Sequence, residues 1–214
     1  MKKIFLLVFC IFLLSEIRAD SIPSFRFFVE PQYFAVNCMR LGVDLRMSEN
    51  KWISVSPRLI MREKDKPESS LYFGTNDLLR VWGAGLDISF RKYMLEPELR
   101  NTQVFFSFGL GYSYIEPVYY RYMWVEYEEQ GLNYTTYMLS EDKRVIHQPR
   151  AEITMGIKFR SSKGLFMELY QGGGIKQSFF DRYKGDPDDL YNHYWSYGYS
   201  GTYLLMNLRI GMEF

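Results

Sequence analysis

The last twelve residues, Tyr203-Leu-Leu-Met-Asn-Leu-Arg-Ile-Gly-Met-Glu-Phe214, constrain the rest of the chain most. From Leu204 every second residue is apolar: Leu204, Met206, Leu208, Ile210, Met212 and Phe214. Between them stand Asn207, Arg209, Gly211 and Glu213. A period of two puts the two sets on opposite faces of one extended strand. The run is long enough to cross a bilayer when tilted. A strand with one greasy face and one charged face needs neighbours for its backbone groups. In lipid it needs a closed barrel, because no edge can be left open there.

Seven earlier segments alternate in the same way. Phe25 to Phe34 sets Phe25, Phe27, Val29, Pro31 and Tyr33 against Arg26, Phe28, Glu30 and Gln32. Met39 to Met47 opposes its apolar residues with Arg40, Gly42, Asp44 and Arg46. Ile53 to Arg62 contains Pro57, for which a β-bulge is the expectation, since a closed barrel has no edge strand to house proline. About Leu79 to Arg91, Trp82, Ala84, Leu86, Ile88 and Phe90 oppose Gly83, Gly85, Asp87, Ser89 and Arg91. The fifth segment starts near Val104, with Phe106, Phe108, Leu110, Tyr112 and Tyr114 on its apolar face. Gln148 to Arg160 pairs Ala151, Ile153, Met155, Ile157 and Phe159 with Arg150, Glu152, Thr154, Gly156, Lys158 and Arg160. Leu165 to Gln177 is the seventh, and Gln171 and Gly173 break its apolar face.

Alternation alone does not say which face is inside. A soluble lipocalin-like barrel turns its apolar set inward. Three features favour the inverse. Glycine recurs on the polar face, at Gly42, Gly83, Gly85, Gly109, Gly111, Gly156, Gly172, Gly174 and Gly211, where a narrow interior needs small residues beside long charged ones. The apolar face carries almost no charge, as lipid contact requires. The connections also alternate. Those at 48–51, 92–103 and 161–164 are shorter than those at 63–78, 115–147 and 178–199, although the first, at 35–38, is short. The expected fold is all-β: an eight-stranded antiparallel up-and-down transmembrane β-barrel with a polar lumen and an extended outer hairpin.

The amino terminus has the layout of an export signal. Lys2 and Lys3 precede the apolar run Ile4 to Leu14, and Ile17-Arg18-Ala19 offers a small residue for cleavage. Residues 1–19 are therefore expected to be a signal peptide and residues 20–214 a single barrel domain. Cleavage leaves one cysteine, Cys38, which has no partner for an internal disulfide. The formal net charge of +1 gives no field that argues for nucleic acid.

Strand count, alternation and the terminal Phe214 together resemble the small eight-stranded outer-membrane barrels, such as the OmpA barrel domain and the OmpX-like attachment proteins. The resemblance implies a Gram-negative outer-membrane location and contact with outer-membrane lipid. It also implies that Phe214 is part of the signal read by the outer-membrane assembly machinery. Architecture of this kind carries no single activity.

Inside the expected barrel, Glu30, Arg40, Asp44, Arg58, Asp87, Arg91, Glu152, Glu168, Lys176 and Arg209 point to the lumen. Mixed charge can pair into a plug, which is favoured over a narrow path for ions or small solutes. Outside, residues 118–127 and 134–137 flank a turn at 130–133 and read as a hairpin beyond the membrane. Tyr119, Tyr120, Tyr122, Trp124, Tyr127, Tyr134 and Tyr137 decorate it, as a surface for a protein or surface-glycan partner or as aromatic rim. Asp181, Asp186, Asp188 and Asp189 match no ordered calcium spacing, so no cofactor or metal is expected. Outer-membrane palmitoyltransferases and lipid A deacylases set His with Ser and a carboxylate. Here only His147 and His193 exist, and neither has Ser at the second following position. His193 with Ser196 and Asp189 is the remaining alternative. The expectation is a non-enzymatic structural or interaction protein.

Overall fold

The computed structural model describes residues 25–63, 77–94, 101–129, 131–180 and 196–214. The segment 1–19 expected to be a signal peptide, most of 63–78 and the acidic stretch with His193 lie outside them. The strands are β1 (Phe25–Val29), β2 (Cys38–Ser48), β3 (Lys51–Glu63), β4 (Asp77–Tyr93), β5 (Thr102–Glu129), β6 (Leu132–Lys143), β7 (Ile146–Arg160), β8 (Leu165–Lys176) and β9 (Gly201–Glu213). Every pairing is antiparallel. The order runs β4-β3-β2-β1-β9-β8-β7-β5, and β4 pairs with β5 to close the ring. Eight strands thus make a closed barrel, and β6 pairs only with the far half of β5.

Closure at the first strand is short. β1 pairs with β9 from Arg26↔Glu213 to Val29↔Ile210. Phe25 and Phe214 then exchange backbone hydrogen bonds of 3.3 and 3.0 Å, and their rings stack at 4.9 Å.

Two expectations are corrected here. The first strand stops at Val29 instead of running to Phe34. Pro31 opens a 3-10 helix, Pro31–Val36, because its ring presets a helical φ and it has no N–H to give a ladder. Asn37, at φ 56°, then turns the chain into β2. Pro57 makes no bulge. β3 keeps one register against β4 through Pro57↔Leu86, and the β2 ladder lapses between Arg40↔Arg58 and Val43↔Val55 without slipping. A local gap replaces the missing donor. The register shifts instead fall between Arg46 and Ser48 and between Leu78 and Arg80.

Face assignment follows the alternation. Leu86, Ile88, Phe108, Leu110, Ile153, Met155 and Met206 are exposed, whereas Glu30, Asp44, Arg91, Lys158, Glu168 and Arg209 are buried. Some glycines are fixed by crowding. A Cβ on Gly156 would lie 2.5 Å from the Leu169 carbonyl oxygen and 2.8 Å from the Phe105 ring. Only hydrogen fits at that point.

Candidate functional site: the charged interior and the β5–β6 hairpin

Named from the Phe25–Phe214 end, the interior is a stack of ion pairs. Glu213 takes Arg26 and Arg160, both at 2.8 Å, and also Lys158. The Arg26 guanidinium lies over Trp52 at 3.5 Å, so the cation has a ring face as well as a carboxylate. Above it, Arg91 bonds Glu168 at 2.5 Å, and the Tyr93 hydroxyl donates to the other Glu168 oxygen at 2.6 Å.

Arg209 is the hub. It pairs with Glu30 at 2.9 Å, Asp44 at 3.4 Å and Glu168 at 3.7 Å, and it stacks on Phe28 at 3.5 Å. Glu30 also receives Arg40 at 3.1 Å and the Tyr170 hydroxyl at 2.8 Å. Further along, Asp87 gathers Arg58 at 2.8 Å, Arg40 at 3.2 Å and Arg150. An apolar layer of Cys38, Ile60, Val81, Ile115, Tyr119 and Ile146 lies beyond these charges, with Tyr33 and Phe180 packed against it. A charge taken out of water is costly unless an opposite charge and hydrogen bonds offset it, and these distances supply both. What the arrangement does chemically is tie strands from around the ring together through ion pairs.

Of the ten residues expected inward, eight join this network: Glu30, Arg40, Asp44, Arg58, Asp87, Arg91, Glu168 and Arg209. Glu152 instead accepts a hydrogen bond from the Tyr203 hydroxyl at 3.1 Å. Lys176 lies over the Tyr199 and Tyr203 rings at 5.3 and 6.0 Å. The expected set lacked Arg26, Arg150, Lys158 and Glu213. Each has the same parity as a residue that was chosen: Arg26 with Glu30, Arg150 and Lys158 with Glu152, and Glu213 with Arg209. Parity alone would have found them.

The second feature is β5 itself, 28 residues without a break. Its near part pairs with β7 from Thr102↔Phe159 to Ile115↔Ile146. Its far part pairs with β6 from Val118↔Lys143 to Glu129↔Leu132. Gly131, at φ 79°, supplies the positive φ of the turn. Arg121 pairs with Asp142 at 2.7 Å where the hairpin leaves the barrel.

Of the seven aromatics expected on the hairpin, Tyr122, Trp124, Tyr127, Tyr134 and Tyr137 are exposed and Tyr120 is half-buried. They touch across the strands. Tyr122 and Trp124 meet Tyr137 at 5.7 and 5.3 Å, and Tyr127 stacks on Tyr134 at 5.6 Å. Tyr119 is corrected: it is 4 % exposed and belongs to the apolar layer inside the barrel. Odd positions of β5 face inward, and Tyr119 still obeys that rule.

His147 is exposed. Its Nδ1 lies 2.5 Å from the Tyr112 hydroxyl, and its ring packs edge-on to Tyr114 at 5.6 Å. The Ser196, Asp189 and His193 alternative falls outside the described residues apart from Ser196.

The fold defines the class: a closed, eight-stranded antiparallel β-barrel whose longest strand continues into a hairpin. No protein-family model matches the chain, and no curated protein matches it.

Proposed function

We propose that the chain is a Gram-negative outer-membrane barrel without catalytic activity. In this reading it holds the β5–β6 hairpin outside the cell as a docking surface for a protein or surface glycan. The apolar band supports the membrane reading. It runs from Phe106 to Tyr114 on β5 and from Pro149 to Phe159 on β7. About nine to eleven residues tilted by about 40° give a height of roughly 25 Å, the thickness such barrels span. The band ends where Arg80, Glu116, Lys143 and Glu141 form exposed ion pairs. Residues 1–19 act as the leader that exports the chain, and Phe214, stacked on Phe25 at the seam of the barrel, is read during assembly.

One observation carries the docking role. Trp124 is 67 % exposed and Tyr137 57 % on a hairpin that rises beyond the apolar layer of the barrel. Rigid aromatic pairs of this kind present contact area at little entropic cost. The stacked ion pairs of the interior favour this over a conducting path. The test is an epitope tag at Gly131 against one at Glu49. The Gly131 tag is expected to stain on intact cells, and the Glu49 tag only after permeabilisation. A barrel lacking the hairpin is expected to fold and to lose a surface phenotype of the parent. Staining at Glu49 alone, or full retention of every phenotype, refutes the reading.

A further inference from the structure

Two residues of the outward face fit poorly with lipid. Gln171 stands in the middle of the outward row of β8, after Leu165, Met167 and Leu169 and before Gly173 and Ile175. It is exposed, and its side-chain amide makes no hydrogen bond among the described residues. Its cross-strand neighbours are Met155 and Met206. An amide surrounded by hydrocarbon loses the hydrogen bonds that water would give it.

Gly173 is less tightly constrained from within than its neighbours. Its flanking glycines are forced: a Cβ on Gly172 would lie 2.8 Å from the Thr154 Cα, and one on Gly174 would lie 2.9 Å from the Tyr203 ring. At Gly173 the same atom would meet only the Tyr203 carbonyl oxygen at 3.2 Å and the Leu204 side chain at 3.7 Å. Glycine weakens a strand, and in a strand interior it marks a bulge, a bend or a close approach of another backbone or ligand. Both ladders of β8 keep one register through Gly173, so no bulge accounts for it. Met206 at 79 % and Leu204 at 82 % exposure stand beside this notch as the most prominent apolar side chains of the described residues.

We propose that the β8–β9 outer face, centred on Gln171 and Gly173, is an intramembrane contact with a second copy of this chain. This rests on the lipid-facing reading of the apolar band. In lipid, apolar side chains gain nothing by leaving one hydrocarbon for another, so association comes from small residues that allow close approach and from polar side chains that bond across the contact. Gln171 meets that need with itself. Its amide carries both a donor and an acceptor, so two copies related by a two-fold axis along the membrane normal satisfy each other reciprocally. The face around it carries no charge to oppose a mate. Notch and knobs lie on the same surface, as a self-complementary contact requires.

The test is Förster transfer between donor- and acceptor-labelled copies of the purified barrel in phospholipid vesicles at rising protein density. Transfer above the random-proximity level is expected for the parent. Gln171→Leu is expected to weaken the dimer by about ten-fold, from the modest strength of polar contacts in membranes. It should also leave the monomer at least as resistant to urea, since leucine suits lipid better. Gly173→Val should weaken the dimer as well. A parent at the random level, or equal transfer in Gln171→Leu, overturns the proposal, as does a barrel that pairs only with a different protein. A cysteine at Ile88, across the barrel, in a Cys38→Ala background reports separately. If it labels readily with a water-soluble reagent, the lipid-facing reading fails first. If it is shielded and transfer is random, only the dimer fails.

Discussion

Replacing Arg209 by methionine removes the hub of the interior while keeping much of its length and volume. The consequences differ among its three carboxylates. Glu30 keeps Arg40 and Tyr170, and Glu168 keeps Arg91 and Tyr93. Asp44 has Arg209 as its one ion-pair partner among the described residues, at 3.4 Å, and is fully buried. At that distance, with an effective dielectric of about 20, the attraction is about 5 kcal/mol. The desolvation of Asp44 remains after the partner is gone, so the net loss of stability should be about 3–5 kcal/mol. Asp44→Asn in the Arg209→Met background removes the orphaned charge and should recover about 1.5–3 kcal/mol, a coupling that a double-mutant cycle reads directly. The assay is urea unfolding of barrel refolded into vesicles, followed by tryptophan fluorescence and by heat-modifiable gel mobility. An Arg209→Met barrel within about 0.5 kcal/mol of the parent, or the absence of coupling to Asp44→Asn, would refute the argument that these charges are mutually required.

Cysteine at Leu208 or Ile210, in a Cys38→Ala background, is expected to be shielded from water-soluble thiol reagents in native membranes; ready labelling at both counts against the lipid-facing assignment. Deleting Phe214 removes the ring stacked on Phe25 and two backbone hydrogen bonds at the seam, so folded barrel should fall and periplasmic material accumulate. Normal yield and mobility in the deletion would sink that expectation. Tyr119→Ala should cost about 3–5 kcal/mol because it empties a place in the apolar layer, whereas Tyr122→Ala should stay within about 0.5 kcal/mol. Equal effects in urea unfolding would contradict the division between interior and hairpin.

The strands were legible because a period of two, once one face is apolar, fixes both orientation and register over long stretches. The face rule located Asp44, Asp87, Glu168 and Arg209 correctly from spacing alone. Partnership was not legible. Which carboxylate meets which cation depends on how eight strands stagger around the ring, and nothing near Arg209 in sequence names Glu30, 179 residues away. Glu152 and Lys176 illustrate this: their parity is right, yet tyrosines occupy the place of a counter-ion. The end of β1 was missed because Pro31 also satisfies the alternation, and its preset φ decides the matter only in three dimensions. The stretch 115–147 reads as a connection that carries a hairpin, because its tyrosines, glutamates and threonines lack a greasy face. The hairpin is there, and what spacing did not show is that β5 enters it without a break. Pairing with β6 is what keeps β5 extended to Glu129. Its boundary with the barrel falls near Arg121 and Asp142, so a hairpin deletion that spares the wall should begin at Tyr122 and end at Leu139.

The unbroken length of β5 has a mechanical meaning. Below Tyr120 it is bonded on one edge to β4 and below Ile115 on the other to β7, so it is a stave of the wall before it becomes one arm of the hairpin. A pull at the tip therefore runs down the axis of a strand clamped on both sides. Ladder hydrogen bonds between antiparallel strands lie across that axis, so the load reaches them in shear and many must slide together. A loop joined to the rim by a flexible linker would be peeled bond by bond. A partner of the proposed docking surface would pull on the barrel itself, and its grip should fail before the anchorage does.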